Sequence, residues 1–552
     1  MPTLNWIGKE KVINHHQDVP YKILEPQYGF TDGVENPEPN NSGNKIIHGD
    51  NLEALKSLLP EYEGKIKCIY IDPPYNTGNE SWVYNDNVNH PKIKKWLGEV
   101  VGKDGEDLTR HDKWLCMMYP RFKLLHKLLA ENGAIFISID ENEITHLRLL
   151  CTEIFGKSNY IATITVIVKP EGRRYGYFAK THEYILIFSK DQSKLELNDI
   201  VVDGVEFKYY DEEGGFNIKG LRNRNVKSFN SLNRPNLRYP FYVNIQSPDE
   251  NGFFEISTEP KNDWKQIFAS TVDGLESVWR WGKEKSAKQK GDLLANIGND
   301  EHIRIFQKER KLTQTAKTTW INKNFHSITG TRELTDILGK SIFDFPKPEM
   351  LVRQIMEIGS NDDDIILDSF AGSGTTAHAV LNLNKQDGGN RKFILIEMED
   401  YANTITAERV KRVIKGYGQD KKVVEGTGGS FNYYDLGEPL FLEEDILNEA
   451  VGIENILKYI WYSETRTHYV PLNSTPSEGL GEDYRIGSKD QTDYYFYYLM
   501  DGQTTVDYDF MAKIKHKASQ YIIYADNCLL EKDFMLKHHI IFKKIPRDIT
   551  RF

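Results

Sequence analysis

Residues 68–80 read CIYIDPPYNTGNE, and the reading of the chain turns on them. A short apolar run, Cys68 to Ile71, drives straight into Asp72, Pro73, Pro74 and Tyr75. Proline has no backbone N–H and cannot continue a central strand. The strand must therefore stop at Asp72 and present a rigid edge that only accepts hydrogen bonds, with an aromatic ring beside it. Such an edge suits an exocyclic amine on a planar base. The Asp72 carboxylate and the Pro73 carbonyl can accept from an –NH₂ while Tyr75 stacks on the ring. The amine lone pair of adenine or cytosine is delocalised into the ring and poorly nucleophilic. Two acceptors that pull its hydrogens toward tetrahedral geometry relocalise that pair. A methyl sulfonium then supplies an electrophile, and no metal is needed.

Outward from this stretch, strands and helices alternate. Residues 45–59 give a short strand, Asp50, and a helix with Leu52, Leu55, Leu58 and Leu59 at helical spacing. Residues 112–133 read as a long amphipathic helix that stops at a glycine. A strand (134–140), a helix (144–156) and a strand (182–190) follow. This alternation predicts a parallel α/β sheet. The rhythm breaks over 191–330 and returns as a helix at 345–359, a strand, Gly loop and helix at 364–384, and a strand at 392–399. One sheet interrupted by a large insertion is the expected plan. Its parts are an N-terminal extension (1–43), a first half (44–190), the insertion (191–330), a second half (331–425) and a small α+β C-terminal domain (426–552). That last region is acidic and Tyr-rich, with strands expected at 520–526 and 538–545.

At 552 residues, 39% hydrophobic and 27% charged, the composition is that of a globular chain of several domains. The apolar run at 161–168 falls well short of a bilayer span, and the N-terminus lacks a signal-peptide core. Neither a membrane location nor a membrane partner is expected. The four cysteines are scattered with no C-x-x-C pair, which argues against a zinc site or disulfide framework and fits a reducing cytoplasm. Net charge is −11, but it is segregated. Residues 219–240 carry Lys219, Arg222, Arg224, Lys227, Arg234 and Arg238 with no acid, interleaved with asparagines and aromatics. From Arg280 to Lys323 there are eleven basic residues against five acidic. A solvated face would mix signs, so this stretch reads as a phosphate-contacting surface.

The second site is ILDSFAGSGTT, residues 366–376. A strand ends in Asp368, a turn carries Phe370, Ala371, Gly372 and Gly374, and a helix opens at Thr375. Glycines there let a ligand approach the backbone at the carboxyl end of a strand. The spacing is not G-x-G-x-x-G, so the pyrophosphate fingerprint is missing. Glu397 ends the next strand, where an acid suits a ribose diol. A Gly-x-Gly turn alone is also an ordinary strand-to-helix connection. Together with Asp368 and Glu397 it favours an adenosine-type cofactor without a pyrophosphate.

These motifs resemble the amino-group DNA methyltransferases that use S-adenosyl-L-methionine. The acceptor motif precedes the insertion and the cofactor motif follows it, as in the permuted β class of that family. The stretches IHGDNLEAL, IYIDPPYNTGNE, RNRNVKSFNSLNRPNLRYP, VWRWGKEK, FDFPKPEMLVRQIM and LDSFAGSGTTAHAV resemble the modification subunit of type III restriction systems in particular. The resemblance implies a Rossmann-like methyltransferase fold with circularly permuted motif order and an inserted target recognition domain. It implies that Asp72, Pro73, Pro74 and Tyr75 are catalytic. Asp368, Phe370, Ala371, Gly372, Gly374 and Thr375 would form the cofactor loop, and Glu397 would hold the ribose. Asp50 would reach the cofactor adenine, and Lys347 and Pro348 would flank its methionine part. Asp rather than Ser or Asn at position 72 fits adenine N6 better than cytosine N4. The resemblance further implies site-specific action on duplex DNA in a bacterial or archaeal cytoplasm, a homodimer, and docking to an ATP-dependent helicase-nuclease restriction subunit.

Rival readings are a solitary methyltransferase acting on adenine N6 or cytosine N4, an RNA or protein amine methyltransferase, and a catalytically silent DNA-binding subunit. A nicotinamide oxidoreductase would explain the Gly loop but leave Asp72-Pro73-Pro74-Tyr75 without a purpose.

Overall fold

The computed structural model describes residues 4–77, 95, 110–175, 177–201, 206–298, 300–310, 313–420, 423–443, 446–472, 484–499, 502–550 and 552. Residues 78–80 of the opening stretch lie outside them. The chain divides into two compact units, Met1–Asn198 with Ala316–Phe552, and Asp199–Thr315.

The first unit is built on an eleven-stranded sheet. In chain order its strands are β1 (Lys22–Thr31), β2 (Val34–Asn36), β3 (Lys45–His48), β4 (Ile66–Ile71), β5 (Leu129–Ile139), β6 (Tyr160–Ile167), β7 (His182–Ser189), β8 (Thr319–Trp320), β9 (Ile365–Asp368), β10 (Lys392–Glu397) and β11 (Ser430–Pro439). Across the sheet they run β2-β1-β11-β3-β10-β9-β4-β5-β7-β6-β8. The six strands from β11 to β5 are mutually parallel. Every residue of β4 is buried, which is what a continuous apolar run in a parallel sheet requires. The helices that position the site are α1 (Asn51–Tyr62), α2 (Arg110–Leu128), α3 (Ile144–Phe155), α4 (Glu349–Gly359) and α5 (Thr375–Asp387).

The structure corrects four expectations. The sheet is mixed, because β7 runs antiparallel to both β5 and β6. The link from β6 to β7 is a hairpin and holds no crossover helix. Helix α2 ends at Leu128 and not at Gly133, because Leu129 is already paired with Ile66 in the sheet. Residues 1–43 are no mere extension: β1 and β2 lie in the sheet, with β1 paired to β11 from Lys22 to Thr31. The C-terminal region does not begin as a separate body, since β11 lies between β1 and β3. Helix Ile453–Thr465 then buries Tyr459, Trp461 and Tyr462 in the main core. Beyond it, Arg485–Lys489, Thr492–Phe496, Gln520–Ala525 and Ile540–Lys544 form a four-stranded sheet over Tyr495, Phe510 and Ile523.

The inserted unit begins and ends inside the limits drawn at 191 and 330. Asn198 belongs to the first unit, its side chain donating to the carbonyls of Glu357 and Ser360. Thr319–Trp320 returns to pair with β6. Between them, a seven-stranded antiparallel sheet closes over its own core of Leu221, Phe241, Val243, Ile256, Trp279 and Ile305. Among the described residues no helix is long and apolar enough to cross a membrane.

Candidate functional site

Strands β4 and β9 are neighbours and run parallel, with Cys68 opposite Ile366 and Ile69 opposite Leu367. Their carboxyl ends therefore lie side by side. One carries Asp72, Pro73, Pro74 and Tyr75, and the other carries Asp368 and the Gly loop. Asp72, Pro74, Lys347, Asp368, Phe370, Ala371, Gly372, Thr375 and Glu397 all line a single cleft. Five other predicted site residues, Asp50, Pro73, Tyr75, Pro348 and Gly374, do not line it.

The motif is rigid and mostly engaged. Trp114 Nε1 donates to the Pro74 carbonyl at 2.7 Å. No described residue donates to the Pro73 carbonyl. Lys347 Nζ donates to Tyr75 Oη at 2.8 Å and lies 4.8 Å from the centre of its ring. It also stands 3.0 Å from Asp72 Oδ1 and 3.3 Å from Glu183 Oε2. Tyr75 Oη donates to Glu183 at 3.0 Å. The Asp72 contact is ionic and off the line of a hydrogen bond, so Oδ1 is a buried acceptor that meets no donor at bonding geometry. Burial raises Asp72 above the usual carboxylate range, while the Lys347 ammonium pulls the other way. Burial alone would lower Lys347; Asp72 and Glu183 outweigh it and hold the ammonium protonated. The resemblance put Lys347 against the methionine part of the cofactor, and the structure puts its ammonium on the acceptor motif. Glu183, which completes this group, gave no sequence signal.

The second half is a cradle. Gly374 caps α5 at φ +80, and a Cβ there would meet the Thr406 carbonyl at 3.0 Å. Glu397 accepts from the Gly372 N–H at 2.8 Å and the Glu399 N–H at 3.0 Å. Asp368 accepts from Phe370 N at 3.0 Å and Thr376 Oγ1 at 2.5 Å. Buried Arg409 ties the loop down, donating to Ser373 Oγ at 2.9 Å and Thr375 Oγ1 at 2.6 Å. Ser369 Oγ is buried without a hydrogen-bond partner. Burial raises Glu397 to about 8 and Asp368 to about 7. Two such acids, an orphan hydroxyl and a glycine-lined wall fit a polyhydroxylated nucleoside that brings its own donors. S-adenosyl-L-methionine is one.

Asp50 has another task. It caps α1, accepting from Leu52 N at 2.8 Å, and its other oxygen faces Arg121 at 3.4 Å. Its neighbour Asn51 lines the cleft and donates to the Ser369 carbonyl at 3.0 Å. Pro348 caps α4. Sequence reading also passed over Tyr70, Phe343, Phe345 and Tyr401 in the cleft wall. Behind the motif, Asn76 donates to fully buried Glu143, which also holds His111 at 2.6 Å and His146 at 2.9 Å. The ligand atoms of Glu143, His111 and His146 lie within 4.8 Å of one another. Two bonds of about 2.0 Å at a tetrahedral angle would set ligand atoms about 3.3 Å apart. The group as it stands is a hydrogen-bonded hub and not an open cation seat.

In the inserted unit the six basic residues differ from one another. Arg238 is structural: it donates to the carbonyls of Ala269 and Ser277 and pairs with Glu276 at 2.9 Å. Lys219 pairs with Glu309 at 3.0 Å, and Arg222 is half-buried in a bridge to Trp279. Arg224, Lys227 and Arg234 are exposed, and no described carboxylate pairs with them.

Residues 66–408 match the DNA methylase family. The chain is 33% identical over 448 residues to the type III restriction-modification enzyme EcoPI Mod subunit of Escherichia phage P1, covering 75% of this chain and 68% of that one. It is 33% identical over 377 residues to the type II methyltransferase M.KpnI of Klebsiella pneumoniae, covering 68% and 85%. With the type III StyLTI Mod subunit of Salmonella typhimurium it shares 30% over 410 residues, covering 72% and 58%.

A carboxylate must be ionised to accept from both hydroxyls of a ribose. With Glu397 raised to about 8, a ribose held by its carboxylate would expel a proton on binding at neutral pH. Affinity for S-adenosyl-L-methionine is expected to rise from pH 6 to pH 8, by up to about tenfold per unit, and then level off. Glu397→Gln should weaken binding at pH 8.5 and flatten the profile. Calorimetry that finds a flat wild-type profile would remove the ribose role.

Proposed function

We propose, from the premise that this chain belongs to the DNA methylase family, that it is a site-specific adenine-N6 methyltransferase acting on duplex DNA as the modification component of a restriction-modification system. The observation that carries this reading is Asp72 Oδ1: a buried acceptor without a bonded donor, in the same cleft as the nucleoside cradle. Bound S-adenosyl-L-methionine supplies an electrophilic methyl group. Gly372, Asp368 and Glu397 would hold it.

The chain's own work falls on the amine. Asp72 Oδ1 and the Pro73 carbonyl accept the two hydrogens of adenine N6 and draw the lone pair out of the ring. These acceptors are aimed before the base arrives, and preorganised groups of this kind lower barriers more than ones that must first reorient. A base inside a duplex is out of reach, so it must be turned out of the stack. Its face meets Tyr75, where the Lys347 ammonium now lies. The inserted unit would read the site, with Arg224, Lys227 and Arg234 on phosphates or base edges. Similarity to Mod subunits supports a homodimer and a restriction subunit as partner.

Four outcomes are expected. Long-read sequencing of DNA from cells expressing the chain should show N6-methyladenine at one short motif, and Asp72→Ala should lower turnover by on the order of 10²-fold or more with cofactor affinity retained. N4-methylcytosine alone would sink the adenine assignment, and a fully active Asp72→Ala would sink the catalytic one. Replacing Arg224, Lys227 and Arg234 together should reduce the salt slope of DNA binding by about 0.9 for each phosphate no longer neutralised. An unchanged slope would make them ordinary surface. Light scattering should report a mass near twice 63.9 kDa, and a monomer at micromolar concentration rules out the dimer.

A further inference from the structure

The hairpin joining β6 to β7 carries a feature that methyl transfer does not use. Its strands, Arg173–Tyr175 and Phe178–Lys180, pair antiparallel with Tyr175 opposite Phe178. Tyr177 at the turn is 98% exposed and Phe178 is 85% exposed. Single exposed apolar residues are ordinary on a protein surface. Two consecutive aromatic rings held almost wholly in water are not, because each could bury roughly 150–250 Å² and here buries next to nothing.

The hairpin holds these rings on a closed base. Val168 N and Lys169 N both donate to the Thr181 carbonyl at 3.1 Å, and Gly172 N donates to the Lys169 carbonyl at 2.9 Å. Gly172 takes φ +69 at a crossing where a Cβ would strike the Ala179 Cβ at 2.6 Å. The sequence around the rings is basic in a chain of net charge −11: residues 168–182 hold Lys169, Arg173, Arg174 and Lys180 against the single acid Glu171, and of these Lys180 is ion-paired with Glu141. The hairpin then feeds directly into β7, whose second residue, Glu183, accepts from Tyr75. Phe178 and Glu183 are five positions apart, a reach of no more than about 18 Å.

We propose that Tyr177 and Phe178 are an aromatic wedge that enters the base stack of duplex DNA beside the nucleotide drawn into the cleft. This rests on the reading that the chain acts on duplex DNA. Charge decides the occupant: with Lys180 set aside for Glu141, three basic residues still stand against one acid, for which an apolar protein partner gives no reason and phosphates do. The rings have the right chemistry, because every base offers a π-face and apolar side chains between base steps unstack them. The wedge would fill the space that the extruded base leaves and so keep it from returning.

The test is a binding measurement on the full chain with two labelled duplexes of one sequence, one fully paired and one with a single abasic site. The abasic site offers no base to Tyr75 but leaves an unstacked step for a ring. The wild type should prefer the abasic duplex by about tenfold, the scale of one base–ring stack. Tyr177→Ala/Phe178→Ala should lose that preference yet bind the paired duplex within about twofold of wild type, since no charge changes. Tyr75→Ala should keep the preference. The wedge is overturned if wild type shows no preference, if the double variant retains it, or if the double variant loses affinity for both duplexes alike. A chain that shows the preference but transfers no methyl group would refute the proposed function and leave the wedge standing.

Discussion

Everything at the site depends on the parallel pairing of β4 with β9. Cys68 meets Ile366 and Ile69 meets Leu367 although almost three hundred positions separate them. The pairing is driven by apolar burial: four of the six β4 residues are Ile or Cys with 0% exposure, and a buried aliphatic side chain is worth about 1.5–3 kcal/mol. Closing so long a loop adds little entropic cost over a shorter one, because that cost grows only with the logarithm of length. A 117-residue unit, Asp199–Thr315, can therefore sit between the halves without weakening their union. Parallel strands also put both carboxyl ends on one edge of the sheet, where open α/β sheets bind ligands. Asp72 and Pro74 of the motif, and Asp368, Gly372 and Glu397 of the second half, line one cleft for that reason.

The second constraint is charge. Asp72, Glu183 and Lys347 are largely buried, and buried ions must be paired. One ammonium serves two carboxylates and covers the Tyr75 ring as well. The cluster carries one net negative charge and keeps Asp72 Oδ1 short of a true donor. Under the proposed function, an incoming amine would meet acceptors already desolvated and gain hydrogen bonds without stripping water from them. What it must displace is the Lys347 contact with the ring. Removing Lys347 would leave two buried carboxylates uncompensated and be strongly destabilising, whereas losing Asp72 leaves Lys347 paired with Glu183. Lys347 thus holds the unliganded motif together at the place where the base must enter.

The parts of the site legible in the sequence were those fixed by local chemistry. Two prolines end a strand wherever they fall, and Asp368, Gly372 and Gly374 mark a strand-to-helix turn by their spacing. Glu397 was found because it ends the next strand. Glu183, Arg409 and Arg121 were invisible because their roles come from packing between distant elements. Asp50 was legible in another way: Asp50 followed by Glu53 is the N-terminal signature of a helix, and the side chain does cap α1. A family pattern outweighed that local signal and assigned it to the cofactor. Arg238 shows the same limit for charge runs, since six basic residues in sequence say nothing of which ones the fold ties to carbonyls. The antiparallel β7 was missed because strand patterns carry no direction, and only the short connection from β6 could have shown it.

Rigidity at the motif is secured from both ends. Upstream, Asp72 leaves a fully buried strand. Downstream, Asn76 takes φ +57, a left-handed conformation that asparagine tolerates better than most residues. Its amide is anchored to Glu143, a carboxylate with no exposure that two histidines also hold. Between these anchors the two prolines have fixed φ, and Trp114 fastens the Pro74 carbonyl. The Pro73 carbonyl meets no described donor, and Asp72 Oδ1 is buried without a hydrogen-bonded one. The packing leaves these two acceptors without a hydrogen-bonded donor. A site meant only to end a strand would have had no cause to bury a carboxylate oxygen that meets an ammonium but no hydrogen-bonded donor, because burying a charge is costly.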